Sequence, residues 1–257
     1  MNIPAVKVAI ITGGGSGIGK ACALRFARES YRVLIGSRGE ENGEATCLSI
    51  REAGGEAIFR KGDVTKKADC ERWAQAALKE WGRIDVLVAN AGYRVYGPLE
   101  TATENDWAKI VAVNLRGVAD SCASVLPAMI GQKSGSIVIV STTHAVGGRA
   151  EMPLYDATKA AVLSLTRSLA VAHGKDGIRV NAVCPGYTMT EYHEARAAKE
   201  GISPEQLRVD AKDYGLLGGP AEPREIASAI YFLASEEASN VTGHTLMADG
   251  GLSIFSR

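Results

Sequence analysis

Seven short apolar, β-branched runs, each followed by a longer segment with helical spacing, restrict the folds open to this chain more than any other feature. They fall at residues 6–11, 32–35, 56–59, 85–89, 136–140, 179–183 and 245–248. None alternates strictly between apolar and polar positions, which is the pattern of parallel strands buried on both faces. The intervening segments are long enough for the crossover helices that parallel strands require. The pattern is that of an α/β protein with one doubly wound sheet, and 257 residues suffice for a single domain, 1–257, of this kind. There is no internal repeat and no Pro/Gly/Ser linker. Only residues 190–218, where charges and glycines replace a clear core pattern, read as an insertion, and they are expected to form a lid over the substrate.

Charge and cysteine usage narrow the partners. Lysine plus arginine (29) balances aspartate plus glutamate (29), so there is no electrostatic footprint for nucleic acid or for an anionic membrane surface. No charge-free stretch approaches the length of a membrane span, and Lys7 interrupts the first apolar run, unlike a signal peptide. Cys22, Cys47, Cys70, Cys122 and Cys184 are odd in number and widely spaced, with no CxxC pair. That argues against a disulfide framework or a metal site, and for core thiols in a reducing, cytoplasmic setting. A small molecule is the expected partner.

After the first strand comes Thr12-Gly13-Gly14-Gly15-Ser16-Gly17-Ile18-Gly19, followed by a helix-compatible stretch. Glycines let backbone N–H groups approach a pyrophosphate closely, and the helix N-terminus behind them favours an anion. No register of this loop gives GxGxxG, so the ordinary dinucleotide fingerprint is absent. By itself the loop is also compatible with a tight strand-to-helix turn that holds no ligand.

Further along lie Asp63-Val64, Asn90-Ala91-Gly92, Asn114, Tyr155-Asp156-Ala157-Thr158-Lys159, Pro185-Gly186 and Asp249-Gly250-Gly251. An isolated YxxxK pair is expected by chance about 0.4 times in a chain of this composition, so its meaning comes from the company it keeps. In order and spacing these pieces, with the glycine loop, resemble the short-chain dehydrogenase/reductase family over nearly the whole chain. The resemblance implies a Rossmann-type sheet ordered 3-2-1-4-5-6-7 with helices on both faces, and an NAD(P)-dependent oxidoreductase acting on a carbonyl or a secondary alcohol. It implies cofactor contacts from Gly13, Gly15, Ser16, Gly17, Ile18, Gly19, Asp63, Val64, Asn90, Ala91, Gly92, Tyr155, Lys159, Pro185, Gly186, Thr188 and Thr190. No metal is implied.

The chemistry has its own argument. Reducing a ketone requires a hydride donor on one face of the carbonyl and an acid that protonates its oxygen. Tyr155 is the expected acid. A free phenol titrates near pH 10, so ready ionisation near pH 7 asks for roughly 4 kcal/mol of favourable interaction with the phenolate. Lys159, four residues on and therefore on the same helical face, offers the cation. In the family a serine thirteen residues before the tyrosine bonds the substrate oxygen, and that position is Thr142 here, with Ser141 as the alternative hydroxyl. The threonine methyl narrows the site and restricts χ1. Asn114 matches the family's fourth catalytic position, which helps hold a water that links the lysine to solvent; an asparagine satisfying a helix kink is the structural alternative.

Cofactor preference turns on the end of the second strand. An acidic residue there would bind the adenosine ribose 2′-OH, whereas an arginine would pair with a 2′-phosphate. Ser37 stands in the acidic position and Arg38 follows, which favours NADP(H); if Glu40 or Glu41 reached back to the ribose, NAD(H) would be used instead. At the substrate end, Tyr93, His144, Arg149, Met152 and Leu154 flank the catalytic positions, and Tyr187, Tyr192, His193 and Arg196 populate the lid side. Tyr93, His144 and Tyr187 are the substrate candidates, and the polar mixture suits a polyol, a hydroxy acid or another small oxygenated compound. A dinucleotide sensor without turnover and a non-reducing enzyme of the same fold are the rival readings; the complete catalytic set opposes the first and the complete glycine loop the second. Residues 159–173 carry only Arg167 and His173 beyond Lys159 itself, which points to a helix with two buried sides and to a homodimer or homotetramer.

Overall fold

The computed structural model describes residues 5–254. Seven strands form one parallel sheet in the order β3-β2-β1-β4-β5-β6-β7. They are β1 (Val8–Thr12), β2 (Arg32–Ser37), β3 (Ala57–Lys61), β4 (Val86–Ala89), β5 (Gly135–Val140), β6 (Ile178–Pro185) and β7 (Thr245–Ala248). β1 begins two residues later than its apolar run, because Val6 lies before the first residue paired with β2 and is exposed. β6 runs on to Pro185, where it still pairs with Ala248 of β7.

The continuous apolar runs follow from burial on both faces. Along β1, Ala9 and Ile11 enter one core with α1 (Gly17–Arg28), α2 (Glu40–Glu52) and α10 (Pro223–Ala234), while Val8 and Ile10 enter the other. That second core is closed by α3 (Lys67–Trp81), α5 (Gly117–Gln132) and α7 (Pro153–His173). All five cysteines are buried and free.

The segment that leads into α5 starts as α4 (Glu104–Val111) and passes through a π-helical stretch, Ala112–Arg116. Together they make the run Glu104–Gln132, the one helix among the described residues long and apolar enough by composition to cross a membrane. The expectation of no such segment considered charge-free stretches, and this helix carries Arg116 and Asp120. Here Val118, Cys122, Val125 and Met129 of α5 pack into the second core.

Past β6 the chain forms two short helices, α8 (Glu191–Lys199) and α9 (Pro204–Asp210), within the segment expected to be a lid. Their entry is tied to the chain ahead of α10: Met189 N donates to Ala221 O and Ala221 N to Tyr187 O, both at 2.8 Å. The strand order reverses between β1 and β4. Ligands of open α/β sheets bind in the gap that opens there, outside the C-terminal ends of the strands.

Candidate active site

A crevice of about 620 Å³ lies in that position. Its floor begins with the turn after β1. Gly13 and Gly17 adopt φ of 69° and 52°, conformations that favour glycine. At Gly19 the constraint is space: a Cβ would overlap the Gly13 carbonyl oxygen and lie 2.6 Å from Asn90 Nδ2. Asn90 in turn fastens the turn after β4 to β1, its Nδ2 donating to Thr12 O at 3.0 Å while Asn90 N and Ala91 N both donate to Thr12 Oγ1 at 3.0 Å.

The N-terminus of α1 is not closed by its own cap residue. Ser16 at the cap position makes no side-chain capping bond, and the first turn holds no acidic residue. Instead Gly17 N donates at 2.8 Å to Glu191 Oε2, a carboxylate brought across from the start of α8. An anionic oxygen from another element thus already occupies this helix end, which is the chemistry a pyrophosphate would supply. Gly13, Gly15, Ser16, Gly17 and Ile18 line the crevice, as do Ser37, Arg38, Asp63, Val64, Asn90, Ala91 and Gly92; Gly19 lies beneath, packed on the loop. Pro185, Gly186, Thr188 and Thr190 close the far wall. This lining, with its backbone N–H groups left uncapped by Ser16 and its long, open shape, suits a dinucleotide.

Around residue 38 the candidates separate. Arg38 is exposed and lines the crevice, whereas Glu40 is engaged by Lys61 at 3.0 Å.

At the other end, α7 presents Tyr155 and Lys159 one turn apart on its buried face, 8% and 2% exposed. Lys159 Nζ donates to Val140 O at 2.7 Å and sits 5.8 Å from the Tyr155 ring centre. Burial, with some repulsion from Arg94, lowers the ammonium to about 8, against an ordinary value of 10.5. Burial raises the Tyr155 phenol, and the guanidinium groups of Arg94 and Arg149 oppose that rise. The spacing argument looked to Lys159 for this cation. In the fold the Val140 carbonyl at the end of β5 holds the ammonium, and two arginines supply the field at the phenol.

The three hydroxyls after β5 are sorted by their partners. Ser141 Oγ donates to Lys159 O at 2.8 Å, and Thr143 Oγ1 donates to Asp249 Oδ2 at 2.8 Å. Thr142 lines the crevice, and its hydroxyl is used by none of the hydrogen bonds among the described residues. Asn114 is fully buried in the π-helical stretch, the kind of bulge that recurs at functional sites. Its Oδ1 accepts from Tyr93 N at 2.7 Å, and its Nδ2 donates to Tyr93 O and to Thr158 Oγ1 at 2.9 and 3.1 Å. A Cβ placed on Gly92 would lie 3.6 Å from Lys159 Nζ and 3.7 Å from Asn114 Oδ1, so these groups share one small space.

Of the substrate candidates, Tyr93 lines the crevice. His144 opens α6 (His144–Gly147) outside its lining, half-buried, with its pKa lowered by burial and by Arg149. Tyr187 borders a neighbouring cavity of about 550 Å³ and packs edge-on against His193, ring centres 4.8 Å apart. Two contributors went unread in the sequence: Glu191, described above, and Arg94. Arg94 enters the crevice four residues after Asn90, with its Nη1 2.8 Å from His193 Nε2. Its position just past the C-terminal end of β4 was the available signal.

A glycine loop leading into a helix, a switch-point crevice and a buried tyrosine–lysine pair at its far end are together the features of a dinucleotide-dependent oxidoreductase. A model of the family described as enoyl-(acyl carrier protein) reductase matches residues 13–253. The chain is 42% identical to an uncharacterized oxidoreductase of Thermotoga maritima, covering 95% of this chain and 96% of that one. It is 36% identical to a glucose 1-dehydrogenase of Gluconobacter oxydans, covering 97% and 92%. The solved structure of an actinorhodin polyketide ketoreductase variant with NADPH superposes with a TM-score of 0.92 at 32% identity, covering 97% and 98%. The chain belongs to the short-chain dehydrogenase/reductase family of NAD(P)-dependent oxidoreductases, enzymes that act on alcohol and ketone groups.

Proposed function

We propose that this enzyme interconverts a carbonyl compound and a secondary alcohol with a preference for NADP(H), and that Tyr155 is its acid and base. The observation that carries this reading is the burial of Tyr155 and Lys159 together at the end of a crevice that starts at a helix whose own cap residue leaves its N–H groups to a carboxylate from elsewhere in the chain. The glycine loop, Asn90, Thr190 and the 185–188 segment would hold the dinucleotide, which supplies or accepts the hydride when bound. Thr142 donates to the substrate oxygen and orients it toward the Tyr155 hydroxyl. Tyr155 passes its proton to that oxygen in reduction and takes it back in oxidation, and the positive field of Arg94, Arg149 and Lys159 steadies the phenolate between turnovers. Lys159 and Asn114 border the space through which a water would return the proton.

The cofactor preference rests on Arg38 beside Ser37, with Glu40 drawn to Lys61. Function in the cytoplasm and assembly through the exposed face of α7, where Val171 lies among Ser164, Arg167, Ser168 and Ala172, complete the reading, and a monomer by light scattering would remove the assembly. The decisive experiment pairs NADPH, NADP⁺, NADH and NAD⁺ with a broad panel of ketones and alcohols. We expect turnover of at least one carbonyl, reduced about 100-fold or more by Tyr155→Phe. No turnover across the panel, or a Tyr155→Phe variant as active as the wild type, overturns the reading. Arg38→Ala should weaken NADP⁺ binding more than NAD⁺ binding, and an equal effect on both would remove the preference.

A further inference from the structure

The substrate end of the crevice holds more positive charge than its own carboxylates neutralise. Three cations surround the Tyr155 ring: Arg94 Cζ at 5.8 Å, Arg149 Cζ at 5.5 Å and Lys159 Nζ at 5.8 Å from its centre. Arg149 is paired with Asp156 at 3.0 Å, and Lys159 is held by the Val140 carbonyl. Arg94 takes part in none of the ion pairs among the described residues.

Its companions include no carboxylate. An arginine nitrogen can only donate, so His193 Nε2 accepts from it as an uncharged imidazole, and burial with the neighbouring arginines keeps that ring neutral, its pKa lowered to about 4. The other groups that favour the Arg94 charge are the phenols of Tyr155, Tyr96 and Tyr192. The two carboxylates that line the crevice lie elsewhere: Asp63 follows β3 and Glu191 is bonded to the glycine loop. A guanidinium held between the rings of Tyr155 and Tyr192 gains most from an oxyanion that can take two of its N–H groups in parallel, and partial burial shields that interaction from salt.

We infer that Arg94 anchors a carboxylate of the substrate, and that the enzyme interconverts a small oxo acid and the corresponding hydroxy acid. The inference rests on the carbonyl–alcohol reading above and specifies its substrate class. Because the guanidinium lies beside the phenol, only one or two bonds separate the reacting carbon from the carboxylate, which means a 2- or 3-oxo acid. In reduction the carbonyl carbon gains a hydride from the reduced dinucleotide and the oxygen gains the Tyr155 proton, which solvent replaces. The carboxylate is unchanged, and the dinucleotide leaves oxidised.

The test compares pyruvate, 2-oxobutanoate and 3-oxobutanoate with their methyl esters, in wild type, Arg94→Gln and Arg94→Lys. At least one acid should exceed its ester in kcat/KM, and Arg94→Gln should lower that acid-to-ester ratio by about tenfold or more, mainly through KM. Arg94→Lys should keep part of the preference, since it retains the charge and loses the fork. Esters or neutral ketones used as well as the acids overturn the inference while leaving the oxidoreductase reading intact. An Arg94→Gln variant that slows acid and ester equally also overturns it, because the arginine would then act only on the phenol. If no carbonyl is turned over, the functional reading fails, and calorimetric titration of the dinucleotide-loaded enzyme still decides the anchor: malonate should bind, malonamide should not, and Arg94→Gln should abolish the difference. Equal binding of the two overturns the anchor.

Discussion

Lys159→Met should make the protein more stable at neutral pH while disabling it. The lysine is 2% exposed, so solvent offers its ammonium little screening, and its pKa falls from 10.5 to about 8. At about 1.36 kcal/mol per tenfold, burying that charge costs roughly 3 kcal/mol below pH 8. Methionine has a similar length and no charge, but it forfeits the bond to Val140 O, worth about 1 kcal/mol. The net gain is about 2 kcal/mol. With an unfolding entropy of about 2.1 cal/mol/K per residue, that is a rise of about 4 °C in melting temperature for a chain of 257 residues.

The pH dependence carries the sharper signature. Between about 8 and 10.5 the unfolded chain keeps the Lys159 proton that the folded chain has released, so wild-type stability gains on the variant as pH rises through this window. Denaturant unfolding of both proteins without dinucleotide, at pH 6.5, 7.5, 9 and 10, reads the difference with all shared titrations cancelled. A methionine variant no more stable than the wild type at pH 7, or a gap that does not narrow above pH 8, refutes the argument. Turnover should fall about 100-fold or more in the same variant.

Gly19→Ala should abolish dinucleotide binding and lower stability, because the new methyl group meets the Gly13 carbonyl and the Asn90 amide that tie β1 to β4; a variant that binds as the wild type does in a fluorescence titration contradicts this. Glu191→Gln should tighten dinucleotide binding several-fold, since the carboxylate at Gly17 N both occupies and repels the position of a phosphate oxygen. Weaker binding would mean that Glu191 organises the loop instead. Thr142→Ala should cut kcat by about tenfold or more, with Thr142→Ser retaining most of it and Ser141→Ala acting chiefly on stability through its lost bond to Lys159 O. The opposite order would assign the substrate hydroxyl to Ser141.

Residues that act through the local chain were legible in the sequence. The doubly buried strands, the glycine turn, and the one-turn spacing of Tyr155 and Lys159 depend on periodicities of two and 3.6 and on backbone sterics, which a linear reading contains. The choice among three consecutive hydroxyls was only partly legible: the spacing to Tyr155 favoured Thr142, but the partners Lys159 O for Ser141 and Asp249 for Thr143 come from 18 and 106 residues away. Arg94 and Glu191 went unread, and His193 was read only as part of the lid side. Their roles arise because α8 folds back over the ends of β1 and β4, bringing a carboxylate 174 positions along the chain to Gly17 and an imidazole 99 positions along to Arg94. Charges and hydrogen bonds act through space at a few ångströms, so which side chains share a field is decided by the packing of distant elements. The class of reaction was therefore legible in the sequence, whereas the grouping of Arg94 with the Tyr155 phenol, on which the proposed substrate charge rests, emerged only from the assembled crevice.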